Sequence, residues 1–168
     1  MEAPETVGGR LILRPVSLAD SADILDCIRQ GGLSSTVPGS DSVTDLHKAR
    51  EMVTGLIDRG VAGAELHFAV CLEGGRAIGM AALYGFDGKG CATIGYWIGA
   101  DFRQKGYGAE AVRLLCKIGF GMGLARVYAS SGASNAASLR LLKSLGFRQD
   151  AEKTGNGELL FHLDSGSD

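Results

Sequence analysis

Residues 95–111 read Gly95-Tyr96-Trp97-Ile98-Gly99-Ala100-Asp101-Phe102-Arg103-Gln104-Lys105-Gly106-Tyr107-Gly108-Ala109-Glu110-Ala111. A strand ends at Ile98, and a basic, glycine-spaced loop follows. A helix is predicted from Glu110 to Gly121, with Val112, Leu115, Cys116 and Phe120 on its apolar side. The first N–H groups of a helix have no partners within it and carry the positive end of its dipole. Gly106 and Gly108 allow an anion close to the backbone, and Arg103 and Lys105 add charge, so the segment has the makings of an anion cradle. A tight strand-to-helix turn with no ligand is the competing reading. The ATP-binding P-loop is excluded because Ala109-Glu110, not Lys-Ser/Thr, follows Gly108. The dinucleotide fingerprint is disfavoured: Ala111 stands at its third glycine, and a meander precedes the loop in place of a first βαβ strand.

The meander is legible upstream. His67–Leu72, Ala77–Tyr84 and Cys91–Ile98 are strand-like and are separated by Glu73-Gly74-Gly75-Arg76 and Asp87-Gly88-Lys89-Gly90. Before them lie a strand at 10–16 and a helix capped by Ser17 or Asp20 and running to Arg29. An exposed loop is expected over 31–42, then a helix from Thr44 to Arg59. After the 110–121 helix come a strand at 125–130, a helix at 135–144 stopped by Gly146, and a hairpin turning at Gly155-Asn156-Gly157. The order β α α β β β α β α β β predicts an α+β fold. Its one mixed sheet must contain parallel pairing where strand–helix–strand units occur.

Composition bounds the function. The chain has 168 residues, and glycine is abundant at 26, about twice average usage. Residues 1–168 are expected to form a single domain with a real core. The net charge of −2 does not recommend nucleic acid as a partner. No apolar run approaches the roughly 18 residues of a membrane helix, and the N-terminus MEAPETVGGR does not resemble a secretory signal. Cys27, Cys71, Cys91 and Cys116 are scattered, which predicts buried reduced thiols in a cytoplasmic protein and no metal site.

Four segments in register carry a resemblance. Arg103-Gln104-Lys105-Gly106-Tyr107-Gly108 resembles the acyl-CoA signature of the GNAT superfamily of N-acetyltransferases, Arg/Gln-x-x-Gly-x-Gly/Ala. Arg10-Leu11-Ile12-Leu13-Arg14-Pro15 resembles the opening of its RimJ/RimL branch, and Gly95-Tyr96-Trp97-Ile98 resembles that branch's fourth strand. Asn135-Ala136-Ala137-Ser138 followed by Leu145-Gly146-Phe147 resembles its Asn-x-x-Ser…Leu-Gly-Phe segment. The likeness spans residues 10–163.

The resemblance implies a GNAT fold, a central mixed, mostly antiparallel sheet flanked by helices, with fourth and fifth strands that splay apart around acetyl-CoA. It implies that the diphosphate meets the amides from Gln104 to Ala109, with Arg103, Lys105, Gly106, Tyr107 and Gly108 in the same loop. The pantetheine would pair with the backbone of Tyr96 and Ile98 and touch the Asn135 side chain, which suits a helix cap equally well. Many family members donate a proton to the leaving thiolate from a tyrosine, but Leu142 stands at that position here. The RimL-like branch has a serine instead, matched by Ser138, whose alternative is a bond to its own helix. Glutamates common on the fourth strand are absent at Ala92 and Thr93. Glu158 is the late acidic residue of the RimL pattern, or else a solvated hairpin charge. His67 and His162 lie in strands, where a lone histidine is ordinarily structural. Tyr107 and Trp97 are expected to pack, with Trp97 facing away from Tyr96 and Ile98.

The resemblance thus implies an acetyl-CoA-dependent transfer of an acetyl group to a primary amine, such as a protein N-terminal α-amine. The alternatives are an idle acyl-CoA-binding sensor and an acetyltransferase for small amines such as antibiotics or polyamines. In either enzyme the acceptor pocket would be built by residues 31–45 and the last hairpin. The exposed edges of a splayed sheet admit a homodimer.

Overall fold

In a computed structural model, which describes residues 5–33, 37–154 and 156–166, the glycine turns of the meander close as expected. Gly74 and Gly75 both take positive φ, 98° and 91°, the geometry a two-residue hairpin demands. Asp87 Oδ1 accepts the N–H groups of Lys89 and Cys91 at 2.7 and 2.9 Å and shapes the second turn.

The strands and helices are β1 (Thr6–Val7), β2 (Leu11–Pro15), α1 (Ser21–Arg29), α2 (Leu46–Val61), β3 (Glu65–Leu72), β4 (Ala77–Tyr84), β5 (Cys91–Ile98), α3 (Tyr107–Gly121), β6 (Arg126–Ser131), α4 (Ala136–Ser144), β7 (Arg148–Lys153) and β8 (Leu159–Asp164). They build one mixed sheet in the order β1-β2-β3-β4-β5-β6-β8-β7. β1 was not foreseen; two residues carry no periodic signal, and the strand exists because the Gly8 N–H bonds the Leu11 carbonyl at 2.7 Å to close a hairpin. The final hairpin forms, although Gly155 of its turn lies outside the described residues, as do residues 34–36.

β5 and β6, the fourth and fifth strands of the sequence reading, run parallel because α3 crosses between them. They pair only from Cys91↔Arg126 to Thr93↔Tyr128. Beyond Thr93 the two part: β5 continues against β4 as far as Gly79↔Ile98, and β6 continues against β8 as far as Ser131↔Leu159. The gap opens toward the loop that begins α3.

The main core lies on one face of the sheet, under α3 and α4, with Phe68, Leu83, Leu115, Val127 and Phe161 fully buried. A smaller core on the opposite face, under α1 and α2, holds Ile24, Val53, Met80 and Trp97. Trp97 and Tyr96 therefore point to opposite faces, as strand alternation requires. The 31–42 segment is less exposed than expected: Leu33 joins the smaller core and Ser40 is buried in a short 3-10 turn. α2 starts and ends two residues later than expected, capped by the Asp45 carboxylate on the Lys48 N–H at 2.9 Å. α3 starts at Tyr107, three residues before the predicted Glu110, so Gly108 belongs to the helix and Gly106 caps it. Glycine looks like loop in the sequence; here it begins a helix.

One glycine controls how closely β4 approaches β5. A Cβ on Gly79 would lie 2.2 Å from the Trp97 carbonyl oxygen and 3.0 Å from the Ile98 Cα. Gly79→Ala is expected to cost about 2–3 kcal/mol, the scale of core overpacking, read as a lower urea midpoint with unchanged slope. Gly121 at the end of α3 has open space around it. Gly121→Ala is expected to raise stability by about 0.5 kcal/mol in the same measurement.

Candidate active site

The head of α3 is built to leave donors free. Gly106 takes φ 82°, a left-handed conformation that only glycine adopts at little cost, and offers no capping side chain. Gln104 also has positive φ, at 61°. In consequence the N–H groups from Gln104 to Ala109 bond no other group among the described residues, and the ladder resumes only with the Glu110 N–H on the Gly106 carbonyl at 3.2 Å. A run of aligned N–H groups at a helix N-terminus is a site for an anion.

Arg10 and Glu110 tie this helix start to β2. Glu110 Oε1 accepts the N–H groups of Arg10 and Leu11 at 2.6 and 3.0 Å, and Oε2 accepts Arg10 Nε at 3.1 Å. Burial works to raise the Glu110 carboxyl, but these donors outweigh it and hold it below its ordinary value. The Arg10 guanidinium crosses the Tyr107 ring 4.8 Å from its centre and bonds the Lys105 carbonyl at 2.9 Å. Its Nη2 lies 3.1 Å from where a Cβ on Gly106 would be, so it stands beside the free amides. Sequence reasoning used Arg10 only as part of a pattern and missed it as a site cation; its position depends on a strand far away in the chain.

The other loop cations are more committed than expected. Arg103 turns inward, with Nε donating to the Ile98 carbonyl at 2.9 Å and Nη2 to the Gly32 carbonyl at 3.2 Å. It thereby fixes the end of β5 to the segment after α1. Lys105 Nζ donates to the Asp101 carbonyl at 2.9 Å. Gly108 is needed for packing: a Cβ there would meet Leu141 Cδ1 at 3.2 Å and Tyr96 Cε2 at 3.3 Å.

Across the gap, Asn135 caps α4, its Oδ1 accepting the Ser138 N–H at 3.1 Å. The Ser138 hydroxyl lies near enough to the Tyr96 phenol to act on its pKa. Burial raises the Tyr96 phenol, and the contact with Ser138 only partly offsets this, so it stays protonated at neutral pH. Leu142, at the position of the missing tyrosine, is buried in the main core. Glu158 is not free in solvent: Ser130 Oγ on β6 donates to its Oε2 at 2.7 Å.

The opposite face of the sheet carries a cleft of about 760 Å³. Its floor is Met80, Ala82, Gly95 and Trp97, and its walls are α2 and residues 37–43. Residues 37–43 of the 31–45 segment thus line a cavity; α2 lines it too, and among the described residues none of the last hairpin does. Tyr84 folds over Gly95, its Cε1 3.2 Å from where a Cβ would stand. Burial, with the negative charges of Glu158 and Glu65, raises the Tyr84 phenol. Among the described residues there is no cluster of side chains that would hold a metal ion and no helix long and apolar enough to cross a membrane. All four cysteines are free. Burial pushes the thiols of Cys27 and Cys71 up to about 11 and that of Cys116 to about 12; Cys91, against expectation, is partly exposed.

Residues 10–148 match the family model of the acetyltransferase (GNAT) domain. The chain is 31% identical over 144 residues to the uncharacterized N-acetyltransferase p20 of Bacillus licheniformis, covering 84% of this chain and 80% of that one. Among solved structures, the RimL ribosomal L7/L12 α-N-protein acetyltransferase in complex with coenzyme A superposes with a TM-score of 0.82 at 17% identity, covering 95% of this chain and 96% of that one. The ribosomal-protein-S5-alanine acetyltransferase of Vibrio fischeri superposes with a TM-score of 0.80 at 18% identity, covering 98% of each chain. The open gap, the free amides and the matched sequence agree: the chain belongs to the GNAT acetyltransferase family.

Proposed function

We propose that this acetyltransferase moves an acetyl group from acetyl-CoA directly to a primary amine, with a protein N-terminal α-amine as the acceptor. The observation that carries the reading is the run of free N–H groups from Gln104 to Ala109 beside the gap between β5 and β6. The diphosphate sits on those amides, with the exposed Arg10 beside them. The pantetheine enters the gap and uses the backbone of Tyr96 and the N–H of Ile98, which have no strand partner on that side; the Ile98 carbonyl already accepts Arg103 Nε. The Asn135 side chain, its Oδ1 held by the Ser138 N–H, offers its Nδ2 donors at the same opening. Backbone N–H groups of β5 there meet the thioester oxygen, where negative charge develops during attack.

Ser138 hydrogen-bonds the departing thiolate, with the Tyr96 phenol behind it. The amine approaches from the cleft on the opposite face, beside the Tyr84 ring that lies over Gly95. An α-amine, with an ordinary pKa of about 7.7–8.0 against about 10.4 for lysine, supplies more of the neutral nucleophile at pH 7. The likeness in fold to the RimL ribosomal L7/L12 α-N-protein acetyltransferase and the ribosomal-protein-S5-alanine acetyltransferase of Vibrio fischeri supports an acceptor of that kind. The free thiols suit the cytoplasm, and a second copy could add at the open sheet edges, β1 or β7.

Thiol release from acetyl-CoA is expected with at least one member of a panel of hexapeptides beginning Ser, Ala or Met, plus spermidine. Preference for a peptide supports the α-amine acceptor, and release with spermidine alone contradicts it. Ala109→Pro removes one free N–H in the first helical turn, where proline is tolerated. Calorimetry should show acetyl-CoA binding weakened about tenfold, on the scale of one charge-assisted hydrogen bond; unchanged affinity contradicts the cradle. Ser138→Ala should lower kcat about tenfold with little change in acetyl-CoA affinity, and full activity removes Ser138 from the mechanism.

A further inference from the structure

The cleft contains a hydrogen-bonded chain that the sequence did not single out. His67 on β3 lines it, with only 11% of its side chain exposed. Its Nε2 lies 2.6 Å from Glu65 Oε2, and that same oxygen accepts Arg59 Nε from α2 at 2.8 Å. Burial works to raise the Glu65 carboxyl, but the bonds from Arg59 and His67 overcome it, so Glu65 is a carboxylate at neutral pH. An ionised carboxylate only accepts, so the proton of a neutral imidazole must sit on Nε2. Nδ1 then carries the free lone pair, and it bonds nothing among the described residues.

We propose that His67 is the proton acceptor for the incoming amine, with Glu65 and Arg59 as the residues that fix its tautomer and orientation. This role presupposes the acetyl transfer proposed above. The sheet register supports it: His67, Ala82 and Gly95 stand side by side on β3, β4 and β5, with their Cβ directions on one face. Two strand spacings put His67 roughly 9–10 Å from Gly95, past which the amine must come. Ala82 keeps the floor beside His67 low, and the Tyr84 ring covers Gly95, so the amine and one bridging water pass beside that ring between the imidazole and the gap.

The step balances. The acceptor arrives as an ammonium ion and gives one proton through the water to His67 Nδ1. The neutral amine attacks the thioester carbon, forming the C–N bond, and the C–S bond breaks. The second nitrogen proton ends on the departing thiolate, and the imidazolium returns its proton to solvent. Burial lowers the His67 pKa below its ordinary 6.5; the nearby Arg59 charge works the same way, and the Glu65 bond and charge oppose both. The imidazole is therefore neutral and able to accept at pH 7. Tyr84, opposite Glu65 on β4, is uncharged at that pH, and Lys48 and Glu51 of α2, which line the same cleft, are paired with each other at 2.8 Å.

With the acceptor from the peptide and spermidine panel that releases thiol fastest, His67→Gln should reduce kcat about a hundredfold while acetyl-CoA affinity holds. Wild-type kcat/KM should fall on the acid side with an apparent pKa below 6.5, and that limb should disappear in the variant. Added imidazole should partly restore His67→Gly, which a merely structural histidine would not permit. Glu65→Gln should move the acid limb without abolishing turnover. Independently, nitrogen-15 spectra of wild-type protein at pH 7 should show His67 protonated on Nε2. An active wild type whose His67→Gln variant keeps its rate and acid limb overturns the role, as does the opposite tautomer. A wild type silent across the whole panel overturns the acetyl transfer itself.

Discussion

The structure depends on the parting of two parallel strands. β5 and β6 share a ladder only as far as Thr93 and Tyr128, then each follows its other neighbour. Parallel pairing is forced by the α3 crossover, and separation lets the crossover begin between the strands and not over their ends. An unpaired strand edge inside a protein is costly unless something completes it. Here the exposed stretch of β5 backbone, the head of α3 and the cap of α4 all border the same opening. A long, hydrogen-bonding ligand with an anionic end satisfies all three at once.

The loop is held stiff so that this opening keeps its shape. Arg103 ties the end of β5 to the segment after α1, and Glu110 ties the first turn of α3 to β2. The α3 amides are thus placed by contacts remote in sequence and need no ligand to arrange them. Preorganised donors of this kind pay little at binding, which is what makes them effective toward developing charge. The two faces of the sheet then divide the labour. In the proposed reaction the α3/α4 face receives the acyl donor and the α1/α2 face supplies a cleft, with Gly95, under the Tyr84 ring, between them.

Much of this was legible in the residues. The strand-to-helix passage from Gly95 to Ala111, the glycine turns and the Asn135 cap each reflect local chemistry, and local chemistry is what sequence displays. The role of Gly108 was harder to read. Its neighbours Leu141 and Tyr96 come from other elements, so its lack of a side chain serves packing between α3, α4 and β5. Gly79 gave no signal because its constraint is a carbonyl on the adjacent strand. Arg103 looked like a phosphate cation, but its length lets it fold back onto carbonyls. The Arg59–Glu65–His67 chain was invisible for a related reason: its members sit at ordinary strand and helix positions, and only the packing of α2 on β3 joins them. The unforeseen cation, Arg10, reaches the loop through the sheet.

The central claim is that the free amides at the head of α3 and the unpaired edge of β5 hold the acyl donor together. Hydrogen exchange measured residue by residue, with and without saturating acetyl-CoA, tests it most directly. The account predicts slowed exchange at the amides from Gln104 to Ala109 and along Ile94–Ile98, with the β3–β4 ladder little changed. Protection elsewhere, with both of these segments exchanging as in the free protein, would contradict it.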